Sequence, residues 1–334
     1  MRKNLTACCI MMIALALAGC QNDDTSGTPA TGVINGDNGV DDAIDITLPG
    51  TNPDAKAKET SISPMFKGPA RKLVAPNRMH MTQDGWLLVT DSKTGMVVRI
   101  DPMDLRPDQS MRVVGTPISV ASRENEIYVG TRKPAVIKVF SNTGEGIDLL
   151  ARQGEIGIPA DLAVDTEAGL LFALDGKVGD IKVYDVVTRT LIRVICKGEL
   201  LSPTSLAVNP ARGEVLVTEN GKRKSFGSIP SAVQIYTYTG NKVATISGGS
   251  SEISFGAPNG IATDGSRIYF ADVFRKQVIV VDRDTLKLVE LLGTGDAFVS
   301  DLRFPQDVVT NGAGDVYVTS KLTKSIAIFH GGTP

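Results

Sequence analysis

Histidine and cysteine are nearly missing from this sequence: two His, at 80 and 330, and four Cys in 334 residues. Those absences exclude a His-rich zinc site, a disulfide scaffold and a c-type haem chain. Aromatic residues are scarce at 5%, with a single Trp, and the formal net charge is only −2. No basic excess of the kind that nucleic-acid binding requires is present. Long apolar runs are missing too: the uncharged stretch from Ala7 to Ala18 is too short for a stable membrane span.

What that stretch does fit is a secretory signal. Arg2 and Lys3 form the basic start, Ala7–Ala18 the apolar region, and Leu17-Ala18-Gly19-Cys20 follows. The last four residues resemble the lipobox of bacterial lipoproteins. The resemblance implies cleavage before Cys20, lipidation of its thiol and attachment to the cell envelope. In a Gram-negative host, Gln21 after the cysteine implies the outer membrane. Cys8 and Cys9 leave with the signal and Cys20 carries lipid, so Cys196 alone remains. Its apolar run, Leu191 to Ile195, predicts a strand and a buried, inert thiol.

Three regions follow: a signal at 1–19, a lipidated Cys and acidic tether at 20–63, and a body at 64–334. Asp23, Asp24, Asp37, Asp41, Asp42, Asp45, Asp54 and Glu59 face only Lys56 and Lys58, and no aromatic residue interrupts them. Such a segment lacks the apolar surface that offsets ordering entropy. The body then holds 31 basic against 29 acidic residues, so the negative balance belongs to the tether.

The body repeats one unit six times. Each begins at a proline (Pro76, Pro117, Pro159, Pro203, Pro258, Pro305), spaced by 41, 42, 44, 55 and 47 residues. A short apolar strand, a polar turn, a second strand such as Leu87-Leu88-Val89-Thr90-Asp91 and a third such as Val278-Ile279-Val280-Val281-Asp282 follow. Outer strands fall between units, for example Gly146–Leu150 and Leu286–Glu290. Four short strands per repeat predict an all-β, six-bladed β-propeller. The sixth unit ends at Phe329 without an outer strand, so Arg71-Lys72-Leu73-Val74 is expected to complete the last blade and close the ring.

The recurring Pro-x-x-(Ile/Leu/Val)-Ala, Ile-Tyr-Val-(Thr/Ala)-Asp and Val-x-Val-(Phe/Asp) phrases resemble the NHL-repeat family, in the TolB-like and gluconolactonase-like group of propellers. That family includes lyases, sensors and RNA-binding modules, so the resemblance implies a fold more sharply than a function. Propeller chemistry belongs where the inner strands begin, and there Asn77, Arg78, Ser119, Asp161, Ser205, Asn259 and Asp307 follow their prolines. Pro258-Asn259-Gly260 resembles a metal-ligand segment of the gluconolactonase-like rings. It implies a divalent cation such as Ca²⁺ held by Asp161, Asn259 and Asp307, and a hydrolase or lactonase. Asp161 and Asp307 lie one place further from their prolines than Asn259, and alternating strand residues then need not converge. The zinc lyases of the family carry several His ligands, whereas His80 and His330 are isolated. No catalytic residue is assigned, and a binding or scaffold module without catalysis is the first expectation, the metal-dependent hydrolase the competing one.

For binding, the second-to-third turns carry cations: Lys93, Arg132, Lys133, Lys177, Lys222, Arg223, Lys224, Arg275, Lys276, Lys321 and Lys324. The long spacings place Glu219–Ser231, with Phe226, and Ser247–Ala257, with Phe255, on the same side of a propeller; Gly293–Phe304 joins them. Insertions on one face of a repeat protein mark its binding side. The expected partner is an envelope protein or anionic surface polymer met by a monomeric body, and nucleic acid is not expected outside the cytoplasm.

Overall fold

The computed structural model describes residues 68–69, 72–223, 228–249, 253–293 and 302–331. The signal, Cys20 and tether readings lie outside the described residues. Six antiparallel sheets follow one another along the chain, and each runs from an inner strand outward. The inner strands are Pro76–Met81, Pro117–Arg123, Pro159–Asp165, Pro203–Asn209, Pro258–Thr263 and Pro305–Thr310. They touch in sequence, and the sixth also touches the first, which closes a ring. The protein is thus an all-β, six-bladed propeller. The only helix among the described residues is a 3-10 turn at Pro210–Arg212, and none is long and apolar enough to cross a membrane.

Each inner strand opens on its proline, where the missing N–H breaks no ladder bond. Directly after every proline the register with the second strand shifts: Pro159 faces Asp175 but Asp161 faces Leu174, and the other five blades do the same. A bulge of this kind re-aims the following side chains. It turns the residue two places after each proline into a blade-to-blade contact.

The apolar core is divided rather than central. Each blade-to-blade interface holds one cluster, such as Tyr128, Ile137, Leu171 and Tyr184 between blades two and three. The interface that joins blade six to blade one packs Tyr317 and Ile326 against Met79, Leu87 and Val89. Cys196 is buried between blades three and four, as expected, and burial pushes its thiol up to about 12.

Two strand expectations need correction. The fifth outer strand is Leu288–Leu292, two residues later than read, because Leu286 turns left-handed (φ +54°) and donates its amide to the Asp282 carbonyl. More consequentially, of the closing strand expected at 71–74, residue 71 lies outside the described residues and 72–74 form no strand beside Ser325–Phe329. Sheet six has three strands among the described residues, and Gly68–Pro69 pair instead with Gln109 and Ser110 on the outer strand of blade one. The amides of Val74 and Ala75 donate to the Asp91 carboxylate at 2.5 and 3.1 Å, so they are unavailable to a ladder on blade six. Leu73 packs into the cluster between blades six and one without pairing.

Candidate functional site

The inner ends of the six blades are latched in series. Asn77 Nδ2 donates to the Ile118 carbonyl at 2.8 Å, Ser119 Oγ to Pro159, and Thr204 Oγ1 to Pro258, both at 2.8 Å. Between blades three and four, Asp161 accepts the Ser205 hydroxyl and the Leu206 amide. Gly260 leans on the Asp307 backbone so closely that a Cβ there would overlap it. The last joint is the strongest: Asp307 takes the Met79 amide at 2.7 Å and meets Arg78 Nη1 at 3.3 Å. Arg78 also donates to the Gln306 carbonyl at 2.9 Å and to the Thr204 carbonyl, and its Nε lies 3.7 Å from Asp161. One guanidinium therefore crosses the channel and ties blade one to blades three, four and six.

This charge cluster is buried; Arg78, Asp161 and Asp307 are 5%, 6% and 3% exposed. Burial raises both carboxyls, Asp307 to about 7, although Arg78 opposes the shift and the neighbouring Asp161 adds to it. One cation between two carboxylates leaves one negative charge uncompensated, and a proton is the cheapest remedy for buried groups. Asp161 and Asp307 also line a cavity of about 200 Å³, together with His80, Ala163, Ala207, Ala262 and Val309. Burial lowers the His80 imidazole to about 4, against a smaller opposing hydrogen bond to the Ser122 backbone.

Of the proposed metal ligands, Asp161 and Asp307 do converge, on Arg78. The counterpart of these two in blade five is Gly260, since Leu162, Ile261 and Val308 share one register position beside the second strand. Asn259 stands one place earlier, and its carbonyl accepts the Thr218 hydroxyl at 3.4 Å. Among the described residues no group of three His, Cys, Asp or Glu is placed to hold a metal. The role of Arg78 was hidden in sequence; its one signal was a lone Arg where other blades carry Ser, Asp or Gly.

The loop face is built by a second repeated device. In every blade a residue at or just after the end of the second strand donates its amide to the carbonyl just before an inner proline: Ser92 to Ala75, Arg132 to Thr116, Gly176 to Ile158, Asn220 to Ser202, Val273 to Ala257 and Lys321 to Phe304. These bonds hold both loop sets together on one face. Carboxylates at the strand ends reinforce them. Asp272 accepts the amides of Gly256, Ala257, Phe274 and Arg275, and Asp175 those of Gly157, Ile158 and Lys177. For Asp175 burial acts upward, but those amides outweigh it and the carboxyl ends below its usual value.

Lys93, Arg132, Lys133, Lys177, Arg275, Lys276, Lys321 and Lys324 are all exposed on this face. Among the described residues none of them forms an ion pair; Arg275 donates to Ser254 Oγ at 2.5 Å. Lys222 and Arg223 begin a two-residue hairpin with Ser228 and Ile229, while Lys224 and Phe226 lie outside the described residues. Phe255 faces inward instead, edge-on to Phe270 at 4.9 Å. Apolar side chains do stand out here: Val114, Val178, Phe274 and Leu322 are 68%, 51%, 76% and 67% exposed.

The opposite face reverses the sign. Its turns expose Asp84, Asp104, Glu124, Glu145, Glu167, Asp264 and Asp284. Some of its cations pair locally, among them Arg106 with Asp104 at 2.5 Å, Arg212 with Asp284 at 2.8 Å and Arg123 with Glu124 at 2.9 Å, while Lys242, Arg267 and Lys287 stand exposed there. His330 sits there too, exposed and 3.0 Å from Asp315.

No protein-family model matches the chain, and no curated protein matches it. Among solved structures, Kuenenia stuttgartiensis hydrazine synthase is similar, with a TM-score of 0.61 over 78% of this chain and 84% of that one. At 16% identity that likeness shows the fold alone. The class it and the blades define is the β-propeller.

Proposed function

We propose that this protein is a lipid-anchored, NHL-type propeller of the cell envelope that binds a partner through its basic loop face and performs no catalysis. The observation that carries the reading is the excess of exposed cations over exposed carboxylates at the described loop-face turns, where Glu155 and Glu199 are also exposed, and the excess of carboxylates at the opposite turns. Rigid loops presenting one sign of charge steer a partner of the other sign. The lipobox-like Leu17–Cys20 and the acidic segment behind it support an envelope address, and Gln21 favours the outer membrane in a Gram-negative host. The six Pro-led repeats support the NHL assignment.

The competing hydrolase reading rests on Asp161, Asn259 and Asp307, and Arg78 already stands between the two carboxylates as a shared counter-charge. Charge reversal tests the preferred reading. The triple variant Lys222→Glu, Arg223→Glu, Lys224→Glu should lose cross-linked capture from intact envelopes, and capture at the native level would sink it. Metal analysis addresses the competitor: a stoichiometric divalent ion lost on Asn259→Ala would revive the enzyme.

A further inference from the structure

The loop face shows more than charge. At three turns a cation and a bare apolar side chain are adjacent: Lys177 with Val178, Phe274 with Arg275, and Lys321 with Leu322. These tips are held in place. Asp175 anchors the first and Asp272 the second, while in the third the Lys321 and Leu322 amides donate to the Phe304 and Arg303 carbonyls at 3.1 and 3.3 Å. An apolar residue fixed outward on an anchored turn has no intramolecular partner to gain, and docking it costs little ordering entropy.

The other face exposes apolar tips as well, Met103 at 87% and Val187 at 73%. There the flanking carboxylates reach solvent, Asp101 and Asp104 beside Met103 and Asp185 beside Val187, whereas Asp175 and Asp272, which anchor the loop-face turns, are buried. An anionic surface attracts the first set of tips and repels the second. The tips on the loop face are spread around a ring, and the channel cavity lies beyond Arg78 toward the far ends of the inner strands. A flat, fluid, anionic surface reaches several such tips at once, whereas an acidic protein needs a matching shape.

We propose that the loop face lies on an anionic phospholipid bilayer, cations at the headgroups and the Val178, Phe274 and Leu322 side chains at the acyl boundary, with the acidic face turned away. This rests on the reading of the loop face as the binding face, and it names the occupant. The combination matches what interfacial binding requires, apolar insertion plus attraction to anionic lipid.

The lone Trp makes the test internal. Trp86 belongs to a turn on the acidic face, stacked under Arg99 at 4.6 Å. The full chain and its F274W variant are mixed with vesicles containing brominated phosphatidylglycerol, or with zwitterionic brominated vesicles, and indole emission is read. The F274W indole should shift to the blue and lose at least half its emission in the anionic vesicles only, with Trp86 unquenched in the parent chain. Adding K276E and K321E should weaken the F274W response roughly tenfold or more in lipid concentration, since each cation near such a surface contributes severalfold. L322W serves as a second reporter. Absent quenching at both positions, equal quenching in zwitterionic vesicles, or quenching of Trp86 overturns the lipid proposal. If in that case the charge-reversed chain still loses capture of an acidic envelope protein, the basic-face reading survives without it; if capture is unchanged, both fall.

Discussion

Two regions of this propeller use charge in opposite ways. In the channel, Arg78, Asp161 and Asp307 are buried against one another and hold blades together. On the loop face, Lys93, Arg132, Lys133, Lys177, Arg275, Lys276, Lys321 and Lys324 are exposed, and none of them forms an ion pair among the described residues. The difference teaches that position in the blade decides what a charge does. A charge two residues after the proline is re-aimed by the bulge into the neighbouring blade, where desolvation makes its partners obligatory. A charge at the tip of the second turn is solvated, screened and nearly without effect on folding, and so remains available to a partner.

The sharpest way to break the comparison is Arg78→Met. It strands two buried carboxylates and should cost about 3–5 kcal/mol in urea unfolding. The double variant with Asp307→Asn should recover part of that loss; a loss below about 1 kcal/mol for Arg78→Met would deny Arg78 its closing role. Asp272→Ala comes next. It leaves the amides of Gly256, Ala257, Phe274 and Arg275 without their acceptor and should cost about 2–3 kcal/mol, with faster proteolysis of the 253–257 loop.

A titration distinguishes the two regions more finely. Folded Asp307 holds its proton up to about pH 7, whereas an ordinary carboxyl releases it near 3.8. The folded state thus binds more protons across that window, and the Asp307 contribution to stability falls as pH rises through it. His80 acts oppositely, lowered from 6.5 to about 4, so its contribution grows as pH rises between those values. Asp307→Asn should remove the first slope and His80→Gln the second, read from urea midpoints between pH 4 and 8. An unchanged profile in Asp307→Asn would mean that this carboxyl does not titrate there. The smallest stability effect belongs to Lys276→Glu with Lys321→Glu, within about 0.5 kcal/mol per site, even though the same pair should weaken binding to anionic vesicles roughly tenfold or more.

Much of this was open to sequence reading, for a physical reason. Strand periodicity, the prolines that start each unit and the Asp or Gly residues that turn the chain are local properties, so six blades and their loop faces follow from them. The residues around the channel were also legible as a set, since each stands one or two places after its proline. Their partners were not. The bulge changes which face each side chain serves, and Arg78 meets Asp307 from the other end of the ring, a contact that no local pattern encodes.

The ring closure shows the same boundary. An unpaired last strand correctly signalled that blade six lacks an outer partner among the described residues. The strand offered to fill it instead gives its amides to Asp91, a choice made by one carboxylate in three dimensions. The scarcity of His, Cys and Trp and the order of the blades were determined by sequence alone. Only the tertiary structure decided that buried inner-strand charges tie the last blade to the first, and that the described turns of one face expose mostly cations and those of the other mostly carboxylates. Sequence sets which residues lie in each turn, but packing six turns side by side is what turns scattered charges into a surface.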